Sequence, residues 1–150
     1  MFSGCTLVSV DDKSRMAIPK KNRDDLSSEG GLVLTQHYSG HCLLLYPKPE
    51  WDRVIDGLRS KPQQHPVMQR VMRTMLAYAV ECALDKTNRL LLPLEHRGVV
   101  GVGQSVMLVG QFNKFEIWDA KRWDDTQAQL KESYEDDAEA HQDFLSEFSI

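Results

Sequence analysis

The sequence predicts an α+β protein made of two similar halves in tandem, with a helical hairpin between them and a helix at the C-terminal end. Three observations predict it. A short motif occurs twice: Asp11-Asp12-Lys13-Ser14-Arg15 runs through Met16-Ala17-Ile18-Pro19 to Arg23, and Asp85-Lys86-Thr87-Asn88-Arg89 runs through Leu90-Leu91-Leu92-Pro93 to Arg97. Asp, Arg, Pro and the second Arg recur at one offset of 74 residues. The likeness continues beyond the motif. Leu32–Thr35 aligns with Val106–Val109 at the same offset, and Tyr46 and Trp51 align with Trp118 and Trp123 at 72. Between the copies, apolar residues fall at helical spacing. An internal repeat constrains the fold more than any single motif.

Within a copy the pattern reads strand, turn, strand, short helix, hairpin. Thr6–Val10 alternates like a half-buried strand, and Met16–Ile18 resumes extended structure after the motif turn. Pro19 and Pro93 disfavour helix at the residue before them but suit the first turn of a helix after them. Short helices are therefore expected at Lys20–Leu26 and Leu94–Val99. Gly30-Gly31 ends the first and Gly101 follows the second. The length difference between the copies falls in the polar segment Gln36–His41, as a hairpin loop tolerates.

Pro47-Lys48-Pro49 closes the first copy. Trp51, Val54, Ile55 and Leu58 then form one apolar stripe, and Glu50 and Asp52 suit a helix N-terminus. Lys61-Pro62 and His65-Pro66 break that helix. A second one is expected from about Val67 to Tyr78, with Met68, Val71, Met72, Met75, Leu76 and Ala79 on one face. After Trp123 a polar, acidic helix runs toward Tyr134, and the residues beyond it are expected to be mobile. The domain spans are then 5–50 and 79–122 for the two halves, 51–78 for the linking hairpin and 123–150 for the acidic tail.

The 150 residues suffice for one good core, or two small ones that lean on each other. The composition, 41% hydrophobic and 27% charged, is that of an ordinary globular protein. The longest apolar run, Met75–Val80, is far short of the roughly 20 residues that span a bilayer. No basic segment followed by an apolar stretch opens the chain, so no secretory signal is expected. Three widely spaced cysteines suit a reducing cytoplasm better than a disulfide framework.

The net charge of −4 argues at face value against nucleic acid, but its distribution does not. From Thr126 onward, Lys131 stands against seven acidic residues, which leaves the remainder slightly basic. The first 23 residues hold Lys13, Arg15, Lys20, Lys21 and Arg23 against Asp11 and Asp12. A basic head with an acidic tail is compatible with a local phosphate-binding surface.

The motif turns are where chemistry is expected. Asp11 and Asp85 order their loops by accepting backbone N–H groups or pairing with the arginine four residues on. Lys13, Ser14 and Arg15 are then expected to project outward. A guanidinium is a planar fork suited to phosphate oxygens and to the O6/N7 edge of guanine, and Lys13 or Lys86 adds a point charge. Arg23 and Arg97, kept in register, serve equally well as internal pairing partners. His37, His41 and Cys42 lie close together but lack an evident fourth metal ligand. No Ser-His-Asp order, P-loop or nucleophile elbow is present, so no enzyme, cofactor or small-molecule substrate is expected. Tyr46, Trp51, Trp118 and Trp123 read as core.

Several segments together resemble the MraZ family of bacterial transcriptional regulators of the division and cell-wall gene cluster. They are Met1-Phe2-x-Gly4, the Asp-x-Lys-x-Arg motif at 11–15, and Leu44-Leu45-Tyr46-Pro47-x-x-Glu50-Trp51. The Asp85-x-x-x-Arg89 motif and Val109-Gly110-Gln111-Phe112-Asn113-Lys114-Phe115-Glu116 complete the set. The resemblance covers the chain up to about Trp123. It implies two AbrB-like swapped-hairpin halves, each a small β-barrel, in a cytoplasmic, nucleoid-associated repressor that assembles into a ring and binds short direct repeats in promoter DNA. By that resemblance Lys13, Arg15, Lys86 and Arg89 are DNA-contacting positions and Asp11 and Asp85 order the loops. An AbrB-like protein-interaction or antitoxin scaffold is the alternative.

The chain departs from the family pattern at Ser3, where Arg is usual, and at Ser14, where the turn commonly has Gly. Because Ser takes positive φ at a cost, the first loop is expected to be shaped differently. The first copy, with Lys13 where the second has Thr87, is expected to carry more of the affinity. Two such halves can pair in a pseudo-twofold manner within one chain or between chains. Pairing between chains is head-to-tail and generates rings or filaments.

Overall fold

The computed structural model describes residues 1–27 and 30–150. The protein is α+β, with eight strands and five α-helices among the described residues. The first half supplies β1 (Cys5–Ser9), β2 (Arg15–Ala17), α1 (Lys20–Leu26), β3 (Leu32–Gln36) and β4 (Leu43–Pro47). The linking segment supplies α2 (Lys48–Arg59) and α3 (Pro66–Val71), which runs into a π-helical turn over Met72–Leu76. The second half supplies β5 (Val80–Cys82), β6 (Arg89–Leu91), α4 (Leu94–Val100), β7 (Ser105–Gln111) and β8 (Lys114–Asp119), and α5 (Ala120–Leu145) follows.

The repeat offset maps β1 to β5, β2 to β6, β3 to β7 and β4 to β8, and the pairing obeys that map. Six strands form one antiparallel sheet in the order β1-β7-β8-β4-β3-β5, and β2 pairs with β6 in a separate two-stranded ribbon. Exchanging the halves leaves this arrangement unchanged. Each half gives its first strand to the other half's hairpin: β1 lies on β7 and β5 on β3. The two hairpins meet through β4 and β8. The pseudo-twofold pairing foreseen from the repeat is therefore made within one chain.

One core serves both halves. Val8, Met16, Ile18, Leu32, Leu34, Leu43 and Leu45 pack with Leu90, Leu92, Val106, Leu108, Phe115 and Ile117. A half of four short strands cannot cover its own apolar face, whereas two interleaved halves can. The opposite face of the sheet, through Val33, Leu44 and Tyr46, packs on Trp51 of α2, Val71 of α3 and Met75 of the π-helical turn. Tyr46 and Trp51 are buried there, while Trp118 and Trp123 are only half-buried. The chain divides into two compact units, Met1–Ala120 and Lys121–Ile150.

Expected elements recur closely. The short helices start right after Pro19 and Pro93, and Gly101 closes α4 in the left-handed conformation at φ 70°. The length change falls in the hairpins, where His37–Cys42 joins β3 to β4 but only Phe112 and Asn113 join β7 to β8. Gly110 is there because the chain leaves no alternative. A Cβ on it would lie 2.4 Å from the Ser3 nitrogen, against the N-terminal segment that its own N–H bonds through Gly4.

Two expectations need correction. The single helix expected from Val67 to Tyr78 is α-helical only to Val71. The Ala77 N–H then reaches back five residues to the Met72 carbonyl, at 3.0 Å. Two threonines bond backbone carbonyls at either side of this turn. Thr74 turns its hydroxyl back onto the Arg70 carbonyl at 2.7 Å, and the buried Thr35 hydroxyl of β3 takes the Met75 carbonyl out of the helical ladder. The acidic tail is also helical well past Tyr134, to Leu145. No Gly or Pro occurs after Gly110, and Ala, Glu and Gln sustain a helix without apolar periodicity. Among the described residues no helix is long and apolar enough to cross a membrane.

Candidate functional site

The site grows from the β2–β6 ribbon. Met16 pairs with Leu90, and both side chains are fully buried beneath it. Alternation along a strand then puts Arg15 and Ala17 of β2, with Arg89 and Leu91 of β6, on the opposite, outward face. Arg15 lies across from Leu91 and Arg89 across from Ala17, so the two arginines stand diagonally on one face. The motif loops that the sequence presents as two copies are thus one composite surface on the pseudo-twofold axis.

Both loops have the same geometry. The Asp11 N–H donates to the Arg15 carbonyl at 2.9 Å and the Ser14 N–H to the Asp11 carbonyl at 3.0 Å. Asp85, Asn88 and Arg89 repeat these bonds at 2.9 and 3.0 Å. Each Asp carboxylate caps its own turn. Asp11 Oδ1 accepts from Lys13 N and Arg15 N, both at 2.9 Å, and Asp85 Oδ1 accepts from Thr87 N at 2.8 Å and Arg89 N at 2.9 Å. These N–H groups hold both carboxyls below the usual carboxylate range: Arg15 N–H first for Asp11, and Arg89 N–H first for Asp85, where the Thr87 hydroxyl adds to it.

The expected difference in loop shape is absent. Ser14 and Asn88 both adopt the left-handed conformation, at φ 65° and 59°. Ser14 does so because its side chain is tied down. It is buried rather than projecting; its hydroxyl donates to the Leu92 carbonyl and accepts from Arg97 Nη1 at 3.1 Å. The backbone is reciprocal, since Leu92 N donates to the Ser14 carbonyl at 2.8 Å and Ile18 N to the Asn88 carbonyl at 3.0 Å. Replacing Ser14 with alanine keeps the left-handed strain and leaves buried polar groups unmatched. We expect it to lower stability by about 1–3 kcal/mol, read as a shifted urea midpoint at unchanged slope.

The loops differ in their ion pairs. Asp11 Oδ2 accepts from Arg15 Nε at 3.2 Å and also from Arg89 Nη1, across the axis, at 3.1 Å. Asp85 takes the Thr87 hydroxyl at 2.8 Å, and Arg15 acts on it only through its charge. Lys13 and Lys86 are exposed at the rim. Arg23 and Arg97 turn inward, Arg23 Nε to the Ile18 carbonyl at 3.1 Å and Arg97 Nη2 to the Gly103 carbonyl at 3.1 Å.

The His37–His41–Cys42 segment is structural in its bonding. His37 Nδ1 lies 2.8 Å from the Ser39 hydroxyl, and the buried Cys42 thiol donates to Glu116. Burial pushes that thiol's pKa well up, so it is held as the unreactive neutral form. Glu116 Oε1 also accepts from Gln111 Nε2 at 2.8 Å and Trp118 Nε1 at 3.0 Å.

This duplicated architecture matches a known family twice. The family model described as "MraZ protein, putative antitoxin-like" fits residues 1–74 and again residues 75–145. The chain belongs to the MraZ family. It is 45% identical over 125 residues, 82% of each chain, to the transcriptional regulator MraZ of Serratia proteamaculans. It is 46% identical over 125 residues to the same regulator of Klebsiella pneumoniae, again 82% of each. Over 152 aligned positions and the whole of both chains it is 40% identical to that of Shewanella woodyi. The MraZ boundary after residue 74 coincides with the repeat offset and falls inside the π-helical turn.

The joining of the two loops into one surface escaped sequence reasoning. The one hint was local: Arg15-Met16-Ala17-Ile18 and Arg89-Leu90-Leu91-Leu92 share a two-residue alternation, which puts each arginine on a strand's outward face but does not say that the two strands pair.

Proposed function

We propose that the chain is a sequence-specific DNA-binding transcriptional regulator that acts as a repressor of the division and cell-wall gene cluster, including its own operon. The observation that carries this reading is the placement of Arg15 and Arg89 on one exposed face of a two-stranded ribbon. The major groove of B-DNA, about 12 Å wide, admits such a ribbon, and arginine is the commonest reader of guanine there. Lys13 and Lys86 at the rim suit the phosphates on either side. The relatives' name, transcriptional regulator, supports the reading.

In this reading the protein is cytoplasmic and nucleoid-associated, and a ring of copies presents the ribbon to short direct repeats, so that weak single contacts add. Since the halves pair internally, ring contacts fall on other surfaces. Exposed Leu7, Leu94 and Phe112, at 63%, 75% and 77%, are apolar enough to serve. No cofactor, metal or small-molecule substrate takes part.

The test is fluorescence anisotropy with a duplex from the region upstream of the gene, against a scrambled duplex, across salt. Preference for the upstream duplex is expected, with log K falling by about 0.9 per log unit of salt for each phosphate neutralised. Equal affinity for both duplexes would sink the reading. A protein-interaction or antitoxin scaffold is the second reading, favoured by the acidic α5 with its exposed Leu130, Tyr134 and Phe144. Truncation before Thr126 separates the two, because it removes a protein partner's surface and spares DNA binding.

A further inference from the structure

The two motif loops share a fold but not a charge arrangement. Among the described residues, both ion pairs made by the loops fall on one oxygen, Asp11 Oδ2, which holds Arg15 and Arg89 together. Asp85, its repeat equivalent, accepts from its own loop, through Thr87 N, the Thr87 hydroxyl and Arg89 N. The pseudo-twofold axis relates the backbones, while the carboxylate between the arginines comes from the first copy alone.

We propose that Asp11 is the positioning residue of this surface: it fixes Arg15 and Arg89 as one pair of guanidiniums, and it sets discrimination between DNA sequences rather than affinity for DNA. This rests on the DNA-binding reading above. The geometry supports it in three ways. Asp11 engages Nε of Arg15, not the Nη1–Nη2 edge, so that edge keeps its fork for a guanine. It engages Nη1 of Arg89 from across the axis, so the separation of the two guanidiniums is set by one atom. The shared negative charge also offsets part of the attraction that two bare guanidiniums would exert on any phosphate backbone. A flexible arginine ordered before binding loses less entropy on reading its base, which favours the cognate site over the rest.

Asp11→Asn separates these roles. The amide retains Oδ1 as acceptor for Lys13 N and Arg15 N, so the turn keeps its cap, and it replaces the oxygen that pairs with the arginines. Asp85→Asn makes the matching change in the other copy. Both are compared with the unsubstituted protein on the upstream and scrambled duplexes, across salt. For Asp11→Asn, affinity for the scrambled duplex is expected to rise, the salt dependence to steepen, and the preference ratio to fall by about tenfold or more, the scale of one arginine–base contact. Asp85→Asn is expected to leave the ratio within about twofold.

Equal ratios for Asp11→Asn and the unsubstituted protein, or equal losses in both variants, would overturn the proposal and leave the DNA reading standing. No preference in the unsubstituted protein would overturn both. Should Asp11→Asn not fold, the free wild-type protein decides through its guanidinium NMR signals. Slowed rotation and exchange at Arg15 and Arg89 support the clamp, and freely rotating groups at both overturn it.

Discussion

On the DNA-binding reading, replacing Arg15 and Arg89 together with alanine is expected to abolish sequence-specific binding while the fold and the proposed oligomer persist. Both side chains stand on the outward face of the β2–β6 ribbon, opposite the buried Met16 and Leu90. A good bidentate arginine–base contact is worth about 1–3 kcal/mol, so the pair accounts for at least about thirtyfold in affinity. Lys13 and Lys86 remain and are expected to sustain only weak, salt-sensitive attraction to any duplex. Stability is expected to change by less than about 1 kcal/mol. The ion pairs lost are part-exposed, and Asp11 keeps its backbone donors. The single variants are expected to differ, with Arg15→Ala costing more than Arg89→Ala, because Lys13 flanks Arg15 where Thr87 stands in the second copy. Anisotropy with the upstream duplex reads binding, and light scattering reads the oligomer. Retained affinity in the double variant, with an intact oligomer, would show that the DNA surface lies elsewhere.

The outward face of the β2–β6 ribbon was legible in the sequence as residues but not as a place. The repeat named Asp11, Arg15, Asp85 and Arg89 because identical residues at one offset stand out against any background. What the repeat does not encode is which strand pairs with which. Thr6–Val10 alternates in the same way whether it lies beside its own hairpin or, as found, beside β7 of the other half. Pairing of distant strands is decided by the shared core. That core forms only when Met16, Ile18 and Leu34 meet Leu90, Leu92 and Phe115. Short helices were legible to within a residue or two, because proline and glycine act locally. The π-helical turn was not: the apolar residues from Met68 to Ala79 keep helical spacing through it, and the Thr35 hydroxyl that bonds the Met75 carbonyl at its end is 40 residues away. Ser14 shows the same limit. Residue preference alone predicted a first loop of different shape, whereas bonds of the Ser14 hydroxyl to Leu92 and to Arg97, 83 residues on, accompany the same left-handed turn.

The interleaved core makes the second prediction the most severe. Leu90 is fully buried, pairs with Met16 at the pseudo-twofold axis, and lies directly under the ribbon that carries both arginines. Leu90→Ala removes three heavy atoms where neither half can close the gap without moving the other. A loss of about 2–5 kcal/mol is expected, against a total stability of about 5–15 kcal/mol for a domain of this kind. Leu91→Ala, one residue on, changes a side chain that is 55% exposed and is expected to cost less than about 0.5 kcal/mol. The contrast tests the alternation that puts the arginines outward, since a ribbon in the opposite register would reverse the two results. The form of the transition tests the topology. With β1 on β7 and β5 on β3, neither half has a complete sheet without the other. Urea unfolding of Met1–Ala120, in the full chain, is therefore expected to remain one transition in Leu90→Ala, displaced to lower urea. Two separate transitions, with the first half outlasting the second, would mean that the halves fold on their own cores and that the strand exchange is wrong.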